Sequence, residues 1–289
     1  MVKNEEYTLN QLRDYSSLFS RSEVEQWAIG NFDSINQKIA RYDSNWISYK
    51  NATYISYLKH LYKILENHYP NEYIFKNSFL NEWLIKELGK SNSNIFNEFR
   101  VGNAVADLVM FNGHSKVFEI KSELDTDNRL ELQLENYHLV FNQIFIIVPE
   151  SKLDTYLKYN ENVGLITYSN LRTNKFALIR DAATNLDIDP GTIMNILRTT
   201  EYKSLVKSFY GSLPKMTSFS QYEICKKLVQ EIPTEQLNDL FIQLMKRRVF
   251  KPEVSGRNYK ELNQINLSLR LNKKQKEKMI FNLKSPLNM

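Results

Sequence analysis

Between residues 98 and 150, apolar and polar positions fall into a pattern that reads strand, turn, strand, helix, strand. Residues 104–111 (AVADLVMF) are an apolar run interrupted by one acid, Asp107. Asn112 and Gly113 follow, and both tolerate the positive φ that a two-residue hairpin turn demands. Residues 116–121 (KVFEIK) form the return strand. Side chains alternate across a strand, so Glu119 and Lys121 share one face while Phe118 and Ile120 take the other. The hairpin can therefore set Asp107 beside Glu119. A helix begins near Asn128, capped by Asp125 or Thr126, with Leu130, Leu134, Tyr137 and Phe141 as its apolar face. Arg129, Gln133 and Tyr137 recur at i, i+4 and i+8, a polar row that could face a phosphate. Residues 143–148 are almost wholly apolar, which suits a strand covered on both faces. Residues 152–159 predict a helix, and 164–168 and 176–179 two further strands. That order implies a right-handed crossover and a mixed sheet flanked by helices.

The flanks read as helical. The clearest helix there is 46–68, with Ile55, Leu58, Tyr62 and Leu65 as its stripe and Pro70 as its stop. Lys50, Lys59 and Lys63 lie among its aromatic residues; a packing face with lysines reaching to water explains them better than single-strand stacking. Residues 77–88 form a second helix, burying Phe79, Leu80, Trp83, Leu84 and Leu88, and a loop at 90–94 leads into a first strand at 95–101. From Ala182 the chain turns helical. One helix runs from Pro190 to Gly211, and helices at 220–231 and 234–249 follow, split by Pro233. The organisation this implies is a helical extension at 1–70, an α/β core at 71–181 and a helical, basic region at 182–289.

Composition narrows the class. A chain of 289 residues with 42% hydrophobic and 25% charged residues can bury a sizeable core. A single cysteine, Cys225, excludes an internal disulfide and a cysteine-rich zinc site, and fits a reducing cytoplasm. Four histidines show no metal-binding spacing. The opening MVKNEEYTLNQ lacks the apolar core of a signal peptide, and no stretch is long enough to span a membrane. The net charge of +5 permits polyanion binding without requiring it. Basic residues gather towards the end, among them Lys246, Arg247, Arg248, Lys251, Lys273 and Lys274, where they can neutralise phosphates.

The candidate chemistry lies in the hairpin. An acid within an apolar run is costly unless it has a partner or a task. Two converging carboxylates beside a lysine suit a hard, oxygen-seeking cation such as Mg²⁺, together with a group that can polarise water. Glu-x-Lys alone is common on solvated sheet faces, so the motif needs its surroundings.

Those surroundings carry a resemblance. An acid-bearing helix, an Asp, a hairpin, Glu-x-Lys and a helix with Gln-x-x-x-Tyr resemble the PD-(D/E)XK nuclease superfamily. The stretch EIKSELDTDNRLELQLENYHLVF is similar to one bacterial and phage branch of it, marked by an EIKSE-x-D run and a following RL-x-x-Q helix. The likeness spans 75–248 and is most specific in the middle. Ala106 stands where the superfamily name has proline. The resemblance implies a restriction-endonuclease-like fold and Mg²⁺-dependent (or Mn²⁺-dependent) hydrolysis of phosphodiester bonds, with DNA as the expected substrate and bacterial or phage defence, or counter-defence, as the setting. It implies metal ligation by Asp107, Glu119 and the main-chain carbonyl of Ile120, with Glu82 or Glu98 as a third acid. Lys121 would orient water, Gln133 would position the phosphate and Tyr137 would brace the helix. Arg129, Lys246, Arg247, Arg248, Lys273 and Lys274 are the expected nucleic-acid contacts. A homodimer or a protein partner is compatible with this reading. The alternative from another class is a non-catalytic module that binds nucleic acid or protein on the same scaffold.

Overall fold

The chain opens with helices α1 (Leu9–Ser17), α2 (Arg21–Ile29) and α3 (Asp33–Tyr42), followed by a 3₁₀ turn at Ser44–Ser48. Then come α4 (Tyr54–His68), α5 (Glu72–Phe79), a π-helical turn at Leu80–Leu84 and the short α6 (Ile85–Leu88). Strands β1 (Asn94–Val101), β2 (Ala104–Phe111) and β3 (Ser115–Ile120) precede α7 (Leu130–His138), β4 (Gln143–Pro149), α8 (Leu153–Leu157), β5 (Gly164–Tyr168) and β6 (Phe176–Arg180). Helices α9 (Pro190–Ile196), α10 (Thr199–Tyr210), α11 (Gln221–Gln230), α12 (Thr234–Arg247), α13 (Asn263–Ser268) and α14 (Lys273–Leu283) complete the chain. This computed structural model describes residues 7–88, 93–123, 125, 128–248 and 257–287. Thr126 as a helix cap, most of the 90–94 loop, the expected helix end at Val249 and the basic Lys251 lie outside the described residues.

Two compact units emerge, one of Met1–Asn81 with Pro252–Met289, the other of Glu82–Lys251. These boundaries differ from the sequence expectation of 70 and 181, and the reason is packing between distant segments. In the first unit, Met279 and Leu283 of α14 share a core with Trp27, Tyr57 and Leu61. The Asp43 carboxylate there accepts from the hydroxyls of Tyr15 (2.7 Å) and Tyr57 (2.6 Å). In the second unit, Ile193, Leu205, Val229 and Phe241 of α9–α12 share one core with Val117, Ile146 and Leu165 of the sheet. Helices α9–α12 therefore belong to the α/β unit.

The sheet has six strands in the order β1-β2-β3-β4-β5-β6. β1–β2, β2–β3 and β5–β6 are antiparallel, whereas β3–β4 and β4–β5 are parallel and joined through α7 and α8. The fold is thus α/β, with a mixed sheet flanked by helices. β4 and β5 are buried along nearly their whole length, as their unbroken apolar runs demand.

Several details depart from sequence expectation. The hairpin turn spans Asn112, Gly113 and His114, because Phe111 pairs with Ser115 and the Asn112 N–H donates to the His114 carbonyl. Gly113 takes φ 136, which a side chain would resist. The helix expected over 46–68 starts at Tyr54, where Thr53 and Ser56 form a reciprocal cap. The helix expected from Pro190 to Gly211 breaks at Leu197. There the Glu201 carboxylate accepts the Arg198 N–H (2.7 Å) and pairs with Arg248 through two bonds of 2.7 and 2.8 Å. Arg248 also donates to the Ile196 carbonyl (2.9 Å). Burial works against the Glu201 charge, but the Arg248 bonds and the Arg198 N–H hold its carboxyl below the ordinary range.

A buried polar knot ties the helices to the sheet. Asn142 Oδ1 accepts from the Ser115 N–H and hydroxyl (both 3.0 Å), its own N–H donates to Ser115 Oγ (2.9 Å), and its Nδ2 donates to the Asn185 carbonyl (3.0 Å). Asn185 Nδ2 in turn donates to the His138 carbonyl at the end of α7 (2.6 Å). Such a network is worth more than its separate bonds, because each orphaned group keeps its desolvation cost. Asn142→Ala is expected to lower stability by about 2–4 kcal/mol, read as a fall in urea midpoint with the slope unchanged.

Candidate active site

The site begins with strand register. Asn97 pairs with Leu108 and Phe99 with Ala106, so Glu98 stands opposite Asp107. Leu108 pairs with Phe118, so one step further Asp107 stands opposite Glu119. Alternation is broken at this point. The β1 residues in the core are Phe96, then Phe99 and Val101; those of β2 are Ala104 and Ala106, then Val109 and Phe111. The pairing register is the same on both sides, but the side chains of both strands change face here, and Glu98 takes a left-handed φ of 53. Asp107 itself is half-buried. The Asp107 carboxylate accepts the Ile120 N–H at 2.8 Å, which fastens β2 to the end of β3.

Glu119 is the hub. Its side chain is 5% exposed and that of Lys121 is 9% exposed. Glu119 Oε1 accepts from Lys121 Nζ (3.0 Å) and Gln133 Nε2 (2.7 Å), and Oε2 accepts from the Tyr137 hydroxyl (2.8 Å). Gln133 Oε1 accepts from Lys121 Nζ (3.0 Å), closing a triangle. Helical spacing places Gln133 and Tyr137 on the same side of α7, and Leu130, Leu134 and Tyr137 seat it in the core. The sequence-predicted Asp107, Glu119, Lys121, Gln133 and Tyr137 are thus brought to one place.

The electrostatics are unequal. Burial first, and the negative charge of Asp107 second, push the Glu119 carboxyl above its ordinary range; Lys121 and the Tyr137 hydroxyl pull the other way without cancelling them. Burial and the Glu119 charge raise the Tyr137 hydroxyl far above its usual value, so it remains a donor at neutral pH. A bond to an ionised acceptor contributes about 1.5–3 kcal/mol, against a desolvation cost of several kcal/mol for the ion. The direction of the Glu119 shift says that desolvation and repulsion win.

Sequence reasoning missed the brace behind the cluster. Lys152 Nζ donates to the carbonyls of Ser122 and Asp125, both at 3.2 Å, and Asp125 Oδ2 accepts from the Ser122 N–H and hydroxyl, both at 2.6 Å. These bonds hold Ser122 and Asp125 just past Lys121. No sequence spacing signals Lys152, since its partners are main-chain carbonyls about thirty positions away.

Other predicted residues lie elsewhere. Among the described residues no group of three or more His, Cys, Asp or Glu could hold a metal, so neither candidate third acid completes one. Glu82 pairs with Lys175 at 3.2 Å. Glu98 faces Asp107 in register but is exposed, and its left-handed backbone takes it out of regular strand geometry. Arg129 is exposed at the start of α7. Arg247 is exposed and Lys246 half-buried, whereas Arg248, expected to contact nucleic acid, is instead committed to a structural ion pair with Glu201. Lys273 and Lys274 are exposed at the start of α14, in the first unit. The expected contact residues therefore do not lie on one unit.

As a donor set, Asp107 and Glu119 offer hard oxygens, and a buried carboxyl with a raised pKa next to a second acid is a site whose charge a cation would relieve. The stability consequence follows from the sign. Because its folded pKa is raised, ionising Glu119 costs the fold nothing below the unfolded value of about 4.3 and costs progressively more as pH rises through the folded value. Asp107→Asn keeps an oxygen for the Ile120 N–H and removes the like charge. It is expected to lower the Glu119 titration midpoint, followed by the side-chain carboxyl ¹³C shift; an unmoved midpoint would show that Asp107 exerts no such field.

A sequence model of the family described as bacteriophage P4 protein cII matches residues 65–267, which include all five clustered side chains. Protein cII of Enterobacteria phage P4 is 29% identical over 132 residues, covering 44% of this chain and 50% of that protein. The chain thus spans about half the length of that curated relative. Among solved structures, a protein of unknown function from Silicibacter pomeroyi is similar over 41% of this chain and 80% of its own, at 14% identity and a TM-score of 0.29, too low to bear on the fold. The match over 65–267 covers most of the sequence, and the chain belongs to the bacteriophage P4 protein cII family.

Proposed function

We propose that this chain has a restriction-endonuclease-like core and is a metal-dependent nuclease, hydrolysing phosphodiester bonds with DNA as the favoured substrate. The observation that carries the proposal is the convergence of Asp107, Glu119, Lys121, Gln133 and Tyr137, drawn from two strands and a helix, around a buried carboxylate. A sheet face built only for stability gains nothing from a buried carboxylate whose charge is disfavoured.

Asp107 and Glu119 would hold Mg²⁺ or Mn²⁺, with the Ile120 carbonyl as a third oxygen donor. When bound, the cation would lower the pKa of water and offset charge building on the phosphorus. Lys121 carries a fixed positive charge at the end of β3, suited to orienting the attacking water and stabilising the developing oxyanion. Gln133 holds the Lys121 ammonium in place and presents its amide towards the same point. Tyr137 fixes the second oxygen of Glu119, so the carboxylate cannot swing away. Arg129, exposed one turn before Gln133, is placed to meet a phosphate.

One observation favours a second reading, a non-catalytic binding module. Both Glu119 oxygens already accept hydrogen bonds, and no third acid joins the pair among the described residues. The two readings separate in one experiment on the purified chain, using plasmid, single-stranded DNA and RNA with Mg²⁺ or Mn²⁺. The nuclease reading expects cleavage, abolished by EDTA and lowered at least about a thousandfold in Asp107→Ala and in Lys121→Ala. Binding without cleavage under every metal condition would favour the module. Calorimetric Mn²⁺ binding that persists unchanged in Asp107→Ala would overturn the metal assignment.

A further inference from the structure

A cavity lies on the face of the sheet away from Glu119. Lys116 and Glu119 sit three positions apart on β3 and so project to opposite faces. Lys116 Nζ reaches Glu87 of α6 at 2.9 Å, which places α6 on the face away from Glu119. Beside α6 is a cavity of 370 Å³ lined by Glu82, Trp83, Lys86, Glu87, Lys175 and Phe176, with Asn174 at its rim. Ligand pockets fall in the range of about 300–1,000 Å³, and this one is at the small end.

Its walls are held in place. Trp83 Nε1 donates to Glu87 Oε1 (2.6 Å), and Glu87 Oε2 takes Lys116, so the indole is fixed by an acid that is itself fixed. The Phe176 ring packs against Tyr168 with centroids 5.1 Å apart. The helix leading to this wall passes through the π turn Leu80–Leu84, a local irregularity that proteins often keep where a binding surface needs it. Each lining acid has a cation, Glu82 with Lys175 and Glu87 with Lys116. Lys86 is exposed at the lip and, among the described residues, forms no ion pair; with Lys116 behind the wall, three lysines stand against the two lining acids.

We infer that this cavity binds a nucleoside monophosphate, its base against Trp83 and Phe176, its base edge read by Asn174 and its phosphate met by Lys86. Aromatic walls supply stacking that any base can use, an amide supplies both a donor and acceptors for a base edge, and an ammonium suits a phosphate. The inference goes beyond the nuclease proposal and does not depend on it, since the two sites lie on opposite faces of the sheet. The ligand could be a free mononucleotide or the phosphorylated end of a strand.

The test is isothermal titration calorimetry of the full chain in EDTA, with the four nucleoside 5′-monophosphates, the matching nucleosides and a 5′-phosphorylated tetranucleotide. Saturable binding of at least one monophosphate is expected, weaker for its nucleoside, and weakened at least about tenfold by Trp83→Leu and by Lys86→Ala. Asp107→Ala is expected to bind as the wild type does. Equal binding of the tetranucleotide would identify a strand end, and binding of the free monophosphate alone a soluble effector. Absence of saturable heat, unchanged affinity in Lys86→Ala, or loss of binding in Asp107→Ala would overturn the inference. Lys86 is exposed, so its substitution leaves folding intact and decides the matter if Trp83→Leu is unstable. Binding in EDTA together with inert nuclease assays would sink the nuclease proposal and leave this one standing.

Discussion

Glu119 is buried behind the sheet with three donors around it and a like charge beside it. Taking a carboxylate out of water costs several kcal/mol, and nearby donors recover only part of that. Three neighbouring side chains limit this cost. Lys121 supplies the opposite charge from the same strand, and Gln133 and Tyr137 arrive from α7. Lys152 holds the carbonyls of Ser122 and Asp125 just past Lys121. Asp107 does the opposite and raises the cost. An arrangement that is strained in charge but satisfied in hydrogen bonding is poised to respond to a cation, a proton or a phosphate.

The scaffold is matched to that demand. The parallel centre of the sheet, β3 to β5, is buried and holds the end of β3 rigid. The antiparallel hairpin β2–β3 supplies the two acids, and at Glu98 and Asp107, which stand opposite each other, the side chains that reach the core change parity. Helices α9–α12 complete the core, joined through the Ser115–Asn142–Asn185 knot. The site thus rests on contacts between residues far apart in the chain, although its clustered side chains lie within thirty-one positions of one another, from Asp107 to Tyr137.

That compactness explains why the cluster was legible. Asp107, Glu119 and Lys121 lie on two strands joined by a short turn, where register follows from turn position and alternation. Gln133 and Tyr137 lie on one helix at i and i+4. Local periodicity carries such information because backbone geometry repeats every two or every 3.6 residues. The third acid was not legible in the same way. Glu98 is opposite Asp107 by register, yet its backbone departs from strand geometry, and no pattern of polar and apolar letters records a left-handed φ. Glu82 has helical spacing like any solvated acid, and only the structure shows Lys175 beside it.

The sequence by itself determined the alternation of strands and helices, the hairpin, the buried run of β4 and the five residues that meet at the site, because each depends on neighbours within a turn or a hairpin. Tertiary structure alone decided the rest. It returned α14 to the first unit, gave α9–α12 to the sheet, broke the helix at Leu197 through Arg248 and Glu201, and set Trp83 and Lys86 around a cavity on the face of the sheet away from Glu119. Those outcomes depend on which distant surfaces exclude water together, and that is a property of the folded chain as a whole.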